Sequence, residues 1–288
     1  MGEPVKQLSV RVFARDLVFG EGLRWHKDRL WISDMLGRKV YAYTESGQRE
    51  LIAEVPARPN GLTFLKDGTL VIASMADQRL LKRLPDGRIV EHAALARWMT
   101  GYCGDVAADA QGRVYLDDVG YRVFEGEKAK PGRLLLVRPD GSAEVFDDAL
   151  EFPNGMWLSP DRKRLIFAEG RRGILHAYDL AADGRYTGKR VFAERPGEVF
   201  DGLTMDSAGG VWVCEPYVKR IIRVLEGGQV THQIDFPDMK PVACCLGGKD
   251  LRTLFVVAAD YTLERMAKDD STAVIYATEA EVPGFPLW

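Results

Sequence analysis

The chain has 288 residues, 46% hydrophobic and 28% charged, with a net charge of −3. That is ordinary for a globular protein and gives no basic face for nucleic acid. No apolar run approaches the roughly 18–20 residues of a membrane span, and the start lacks the charged-then-apolar plan of a signal peptide, so the expected location is cytoplasmic and no membrane partner is expected.

Taken in chain order, one paragraph recurs: a head residue, a glycine, a short strand, a tight turn, a return strand and an acid. Glu21-Gly22-Leu23 leads through Lys27-Asp28 to Ile32-Ser33-Asp34. Asn60-Gly61-Leu62 leads through Asp67-Gly68 to Ile72-Ala73-Ser74. Gly104-Asp105-Val106 leads through Gln111-Gly112 to Leu116-Asp117-Asp118. Asn154-Gly155-Met156 leads through Pro160-Asp161 to Phe167-Ala168-Glu169. Asp201-Gly202-Leu203 leads through Gly209-Gly210 to Val213-Cys214-Glu215, and Val242-Ala243-Cys244 leads through Gly247-Gly248 to Val256-Val257.

Alternation of period two dominates, and Leu95–Met99 offers one helical turn at most. Copies repeat about every 40–50 residues, the period of a four-stranded propeller blade. Pro85-Asp86-Gly87, Pro139-Asp140-Gly141 and Ala182-Asp183-Gly184 supply hairpin turns between copies. The expectation is an all-β, six-bladed β-propeller forming one domain over 1–288. The spare strand Leu8–Ala14 should complete the last blade and remove two open edges.

Inner strands line a propeller's tunnel, so the heads Glu21, Asn60, Gly104, Asn154, Asp201 and Val242 should ring one mouth. Converging hard oxygens suit Ca²⁺ or Mg²⁺. The four histidines form no HxH or HExxH pair, which argues against zinc held by histidine. The four cysteines lack CxxC spacing and read as buried small hydrophobes, with Cys103 the exception for its place beside a head. The return strands should form a second ring, an acidic collar of Asp34, Ser74, Asp117-Asp118, Glu169, Glu215 and Asp260, suited to a cation or a cationic substrate. Bonding of these acids to their own surroundings is the plain alternative.

With these copies in register, the chain resembles the senescence marker protein/regucalcin/gluconolactonase family of six-bladed propellers, with diisopropyl fluorophosphatase and paraoxonase as more distant relatives. The resemblance runs from Glu21-Gly22-Leu23-Arg24-Trp25 through Phe152-Pro153-Asn154-Gly155-Met156 to Leu246-Gly247-Gly248-Lys249-Asp250. It implies one divalent metal ion held by a Glu, two Asn and an Asp. Ca²⁺ is the first expectation, with Mg²⁺, Mn²⁺ and Zn²⁺ as alternatives. Glu21, Asn154 and Asp201 match three ligands. Gly104 stands where the other Asn belongs, with Asn60 a partial substitute, and Tyr102 stands where family aldonolactonases carry an Arg.

The implied activity is hydrolysis of a lactone or ester, with Asp201 as general base. Tyr102, Cys103, Asp118, Tyr121, Phe152 and Phe200 are the candidate substrate-binding residues, and the missing Arg with Tyr102, Cys103, Phe152 and Phe200 near the mouth favours a small molecule less polar than a sugar lactone. A lyase or isomerase acting on an aromatic or cationic metabolite, and a non-catalytic ligand-binding propeller, are the alternatives. A monomer or dimer is expected.

Overall fold

The computed structural model describes residues 4–288. Six sheets stand side by side around a central tunnel, with a head within two residues of the start of each inner strand. Blade 1 is Gly20–His26, Arg29–Asp34, Lys39–Thr44 and Arg49–Glu54; blade 2 is Pro59–Phe64, Leu70–Ser74, Arg79–Arg83 and Ile89–Ala94. Blade 3 is Cys103–Ala108, Val114–Asp118, Gly132–Val137 and Ala143–Leu150; blade 4 is Pro153–Leu158, Arg164–Glu169, Ile174–Leu180 and Tyr186–Glu194. Blade 5 holds Leu203–Met205, Val211–Glu215, Arg220–Val224 and Val230–Asp235; blade 6 holds Lys240–Gly247, Thr253–Asp260 and Thr272–Glu279. The chain therefore is the expected six-bladed propeller.

The N-terminal strand closes blade 6, shifted from the expected position. Arg11–Leu17 pairs antiparallel with Thr272–Glu279, Arg11 opposite Ala277 and Leu17 opposite Ala273. The residues before it go elsewhere: Lys6–Gln7 adds a parallel fifth strand to blade 5. The N-terminal segment thus ties two blades. Unbroken alternation across Leu8–Ala14 hides the handover, because no turn residue marks it.

Local chemistry accounts for the hairpins. Gly87, Gly141 and Gly184 adopt φ of 90°, 83° and 90°, left-handed values that glycine meets without strain. The preceding Asp in each accepts the amide N–H two residues on, at 3.0 Å (Arg88), 2.9 Å (Ser142) and 3.1 Å (Arg185). The core lies between blades. Tyr115, Leu136, Phe146, Met156, Phe167 and Tyr178 interleave between blades 3 and 4. All four cysteines are buried and free.

A short helix, Leu263–Ala267, breaks the β pattern and is capped where the Thr262 hydroxyl accepts the Arg265 N–H at 3.2 Å. Five residues are too few to print a 3.6-residue stripe. Among the described residues no helix is long and apolar enough to cross a membrane.

The glycine that follows four of the heads is needed for blade contact. A Cβ at Gly155 would lie 2.7 Å from the Asp201 carbonyl oxygen and 2.7 Å from Gly202 Cα, both backbone. Gly61 meets Asp105 Cα at 2.7 Å, and Gly202 meets the Val242 carbonyl oxygen at 2.6 Å, in the same way. Gly155→Ala must push two inner strands apart and should cost about 1–3 kcal/mol, the usual range for overpacking, read as a lower urea midpoint. An unchanged midpoint would show that the blades separate freely.

Candidate active site

Five of the six inner strands open with a β-bulge at or beside the head; in blade 5 the Asp201 N–H bonds the Cys214 carbonyl just ahead of a regular ladder. Ladder pairs Pro59–Ser74 and Leu62–Ile72 flank Asn60-Gly61, with two residues opposing the single Ala73. The same irregularity sets Asn154-Gly155 against Ala168 and Gly104-Asp105 against Asp117. A bulge re-aims a side chain that regular alternation would send into a neighbouring blade. Glu21, Asn60, Asn154 and Asp201 turn to one cavity of about 110 Å³ at the tunnel mouth. Its upper wall is apolar: Phe19, Met35, Met75, Phe124, Tyr261 and Met266 among others. At the rim, Leu263 is 46% and Tyr217 61% exposed.

The expected substrate residues divide. Tyr102, Phe152 and Phe200 line the cavity, Tyr102 backed by the Phe124 ring at 5.3 Å. Cys103, Asp118 and Tyr121 do not, and these three assignments are corrected. Cys103 precedes the bulge, so its side chain goes the other way, into the core with Val71, Val106 and Leu116. Burial pushes its thiol well up, which leaves it a hydrophobe. Asp118 is fully buried and braces a loop, accepting N–H groups of Thr100 (2.8 Å), Gly101 (2.8 Å) and Gly120 (2.9 Å). Tyr121 is buried behind Phe152, ring centres 6.1 Å apart, with Arg171 over both rings.

The acidic collar is also corrected, and the plain alternative holds. Asp34 accepts the N–H groups of Val18 (3.0 Å) and Phe19 (2.9 Å), while Glu169 accepts that of Glu151 at 2.9 Å and meets His176 at 2.8 Å. Glu215 takes Arg195 at 2.8 Å together with Arg220. These acids fasten the loop entering their own blade, so their charge is spent. Asp260 lies beyond the register of the others, which in blade 6 falls on Ala258, and bonds Arg265 at 2.8 Å on the outside. Asp117 alone of the ring faces the cavity.

Below the heads sits a pair that sequence reading missed. Arg24, 3% exposed, donates to Asp105 Oδ1 at 2.9 Å, to the Val106 carbonyl at 2.7 Å and to the Leu23 carbonyl at 2.7 Å, and lies 4.7 Å over the Trp157 ring. Asp105 replaces the glycine found after four other heads and accepts the Met156 N–H at 3.1 Å from the next blade. That broken glycine pattern, beside an Arg in an inward strand, is the signal that was available.

Glu21 and Asp201 are sunk deep in the molecule, with part of their surface open to the cavity only. Burial raises the pKa of Glu21 well above the carboxylate range, and Asp201, Asp105 and Asp117 add repulsion. Burial pushes Asp201 up to about 7, partly offset by the Asn154 amide and the Gly202 N–H. Asp117 is also raised well above its ordinary value, by burial first and then by Asp105.

Among the described residues no group of three or more His, Cys, Asp and Glu side chains stands ready to hold an ion. The tunnel set is instead carboxylates interleaved with amides. The Asn60 amide nitrogen packs on the sulfurs of Met35 (3.8 Å) and Met75 (3.7 Å), which occupies its donor end. The carboxylate and amide oxygens of Glu21, Asn154, Asp117 and Asp201 line one cavity, and the buried Asp117 Oδ1 has no partner. This chemistry fits an oxygen-preferring divalent cation.

Comparison with known proteins agrees with the fold. The chain is 29% identical over 86% of its length to a pentonolactonase of Haloferax volcanii, covering 84% of that protein. It is 32% identical to a 6-deoxy-6-sulfogluconolactonase of Pseudomonas putida over 53% of this chain and 54% of that one. The fold matches the structure of regucalcin from Agrobacterium tumefaciens, described as calcium-binding, with a TM-score of 0.82, 20% identity and 98% of each chain covered. The family model described as the SMP-30/gluconolactonase/LRE-like region matches residues 19–260, and the chain belongs to that family.

Proposed function

We propose that the protein is a lactonase-type hydrolase whose tunnel holds one divalent cation through Glu21, Asn154 and Asp201, with Asn60 at its edge. The observation that carries this reading is the convergence of those four heads on one cavity with apolar walls. The names of the two lactonase relatives support the reaction class. A divalent cation bound there polarises a carbonyl and lowers the pKa of water.

The chain's own residues do the rest. Glu21 and Asn154 fix the polar base of the cavity. Asp201 accepts the proton of the attacking water at a carboxylate oxygen, as a general base must within hydrogen-bond reach. Tyr102, Phe152 and Phe200 hold the part of the substrate that does not react and shed its water. Because this wall is aromatic and the place of an expected Arg is Tyr102, the preferred lactone carries an alkyl or aryl substituent rather than a run of hydroxyls.

Hydrolysis of γ- and δ-lactones with alkyl, aryl or polyhydroxy substituents tests this, with EDTA-stripped and Ca²⁺-, Mg²⁺- or Mn²⁺-loaded protein. Loaded protein should open alkyl and aryl lactones with kcat/KM roughly 10-fold or more above aldonolactones, the scale on which an apolar pocket discriminates. EDTA should abolish the activity. No ring opening across the panel would overturn the reading and turn attention to a lyase or isomerase.

A further inference from the structure

We infer that Asp117 supplies the tunnel oxygen that Gly104 lacks, so that the third blade contributes its cation ligand from its second strand instead of its first. The inference rests on the reading that the tunnel holds a divalent cation.

The repeats themselves carry the argument. In blades 1 to 5 one residue of the return strand stands opposite the head. Opposite Glu21, Asn60, Asn154 and Asp201 these residues are Ser33, Ala73, Ala168 and Cys214, all small. Opposite Gly104 stands Asp117. Every head that bears an oxygen thus faces a small neighbour, and the head with no side chain faces a carboxylate.

The exchange is spatial as well as sequential. A Cβ at Gly104 would lie 2.1 Å from Asp117 Oδ1 and 2.7 Å from its Cγ. The Asp117 carboxylate therefore fills the volume that a head side chain would use. Its anchoring is one-sided. Oδ2 accepts the Asp105 N–H at 2.8 Å, which fixes the group, while Oδ1 is buried and has no partner. Asp117 is 1% exposed and lines the same cavity as Glu21, Asn154 and Asp201. A buried carboxylate oxygen with nothing to accept from is costly unless it has a ligand.

The consequence is a donor set with one more negative charge than an Asn in that place would give. Ligand charge count tunes affinity for hard cations.

Titration calorimetry of EDTA-stripped protein with CaCl₂, MgCl₂ and MnCl₂ tests the assignment, together with melting curves in EDTA and in each ion. Asp117→Ala should weaken the best-bound ion by roughly 10–100-fold, at least the loss seen when an outer-sphere partner of a metal ligand is removed. Asp117→Asn keeps an oxygen and should fall between. Gly104→Asn alone should also lose affinity, because its side chain meets the carboxylate. The double variant Gly104→Asn with Asp117→Ala rebuilds the Asn–Ala pair of blades 2 and 4 and should bind better than either single variant, a coupling read from the cycle. In EDTA, Asp117→Asn should melt no lower than the parent, since a buried repulsive charge is removed, yet gain less from added ion.

Two results overturn the inference separately. If Asp117→Ala and Asp117→Asn bind as the parent does while Glu21→Gln does not bind, Asp117 is no ligand and the cation reading stands. If the parent binds none of the three ions at millimolar concentration, the cation reading fails and the inference goes with it.

Discussion

Asp201→Ala should lower kcat/KM for lactone opening by roughly 10²–10⁴-fold, the contribution of a positioned general base. The residue is held by backbone bonds on both sides. Its own N–H donates to the Cys214 carbonyl at 3.0 Å, and the Gly202 N–H donates to the Val242 carbonyl at 2.8 Å. Its carboxylate has no cationic partner, is met by the Asn154 amide and the Gly202 N–H, and opens to the cavity, so a water entering there meets an acceptor with no cation in contact. Asp201→Asn separates two roles. It keeps shape and one oxygen, so cation binding should weaken but remain measurable by calorimetry, while turnover should fall nearly as far as in the alanine variant. Turnover equal to the parent in either variant would remove Asp201 from the mechanism.

The repeat made most of the fold legible. Six heads, six turns and the Asp-Gly hairpins are local features, and local features survive in a one-dimensional reading. The heads were legible for the same reason, since the repeat sets them at one register in the blades.

Which acids carry unspent charge was not legible. Asp117 and Asp118 are neighbours of identical chemistry, but alternation sends them to opposite sides. Asp118 finds three amide N–H groups of nearby loops, and Asp117 finds a cavity. Glu215 is neutralised by Arg195 and Arg220, and only folding brings Arg195 beside it. Cys103 was misplaced by one residue's worth of alternation. Asn60 was read as filling in for the missing third-blade ligand because it is the nearest spare oxygen in the ring. The strand opposite Gly104 holds a nearer one, visible only when head and opposing residue are compared as pairs.

Arg24→Leu should destabilise the protein by about 3–5 kcal/mol, the cost of stripping one partner from a buried ion pair. Arg24 reaches across the tunnel from blade 1 to Asp105 and Val106 in blade 3 and stacks on Trp157 of blade 4. Its loss leaves the Asp105 carboxylate beside Asp117, Glu21 and Asp201 with no cation in contact, and frees the Val106 carbonyl inside the molecule. The penalty is thus mainly the charge left behind, not the bond removed. Arg24→Leu combined with Asp105→Asn should recover most of the loss, because the stranded charge is then gone and the Asn oxygen can still accept the Met156 N–H. Urea unfolding in EDTA measures both variants free of any stabilisation by ions. A single variant as stable as the parent, or a double variant no better than the single, would show that the pair does not carry the charge balance of the tunnel.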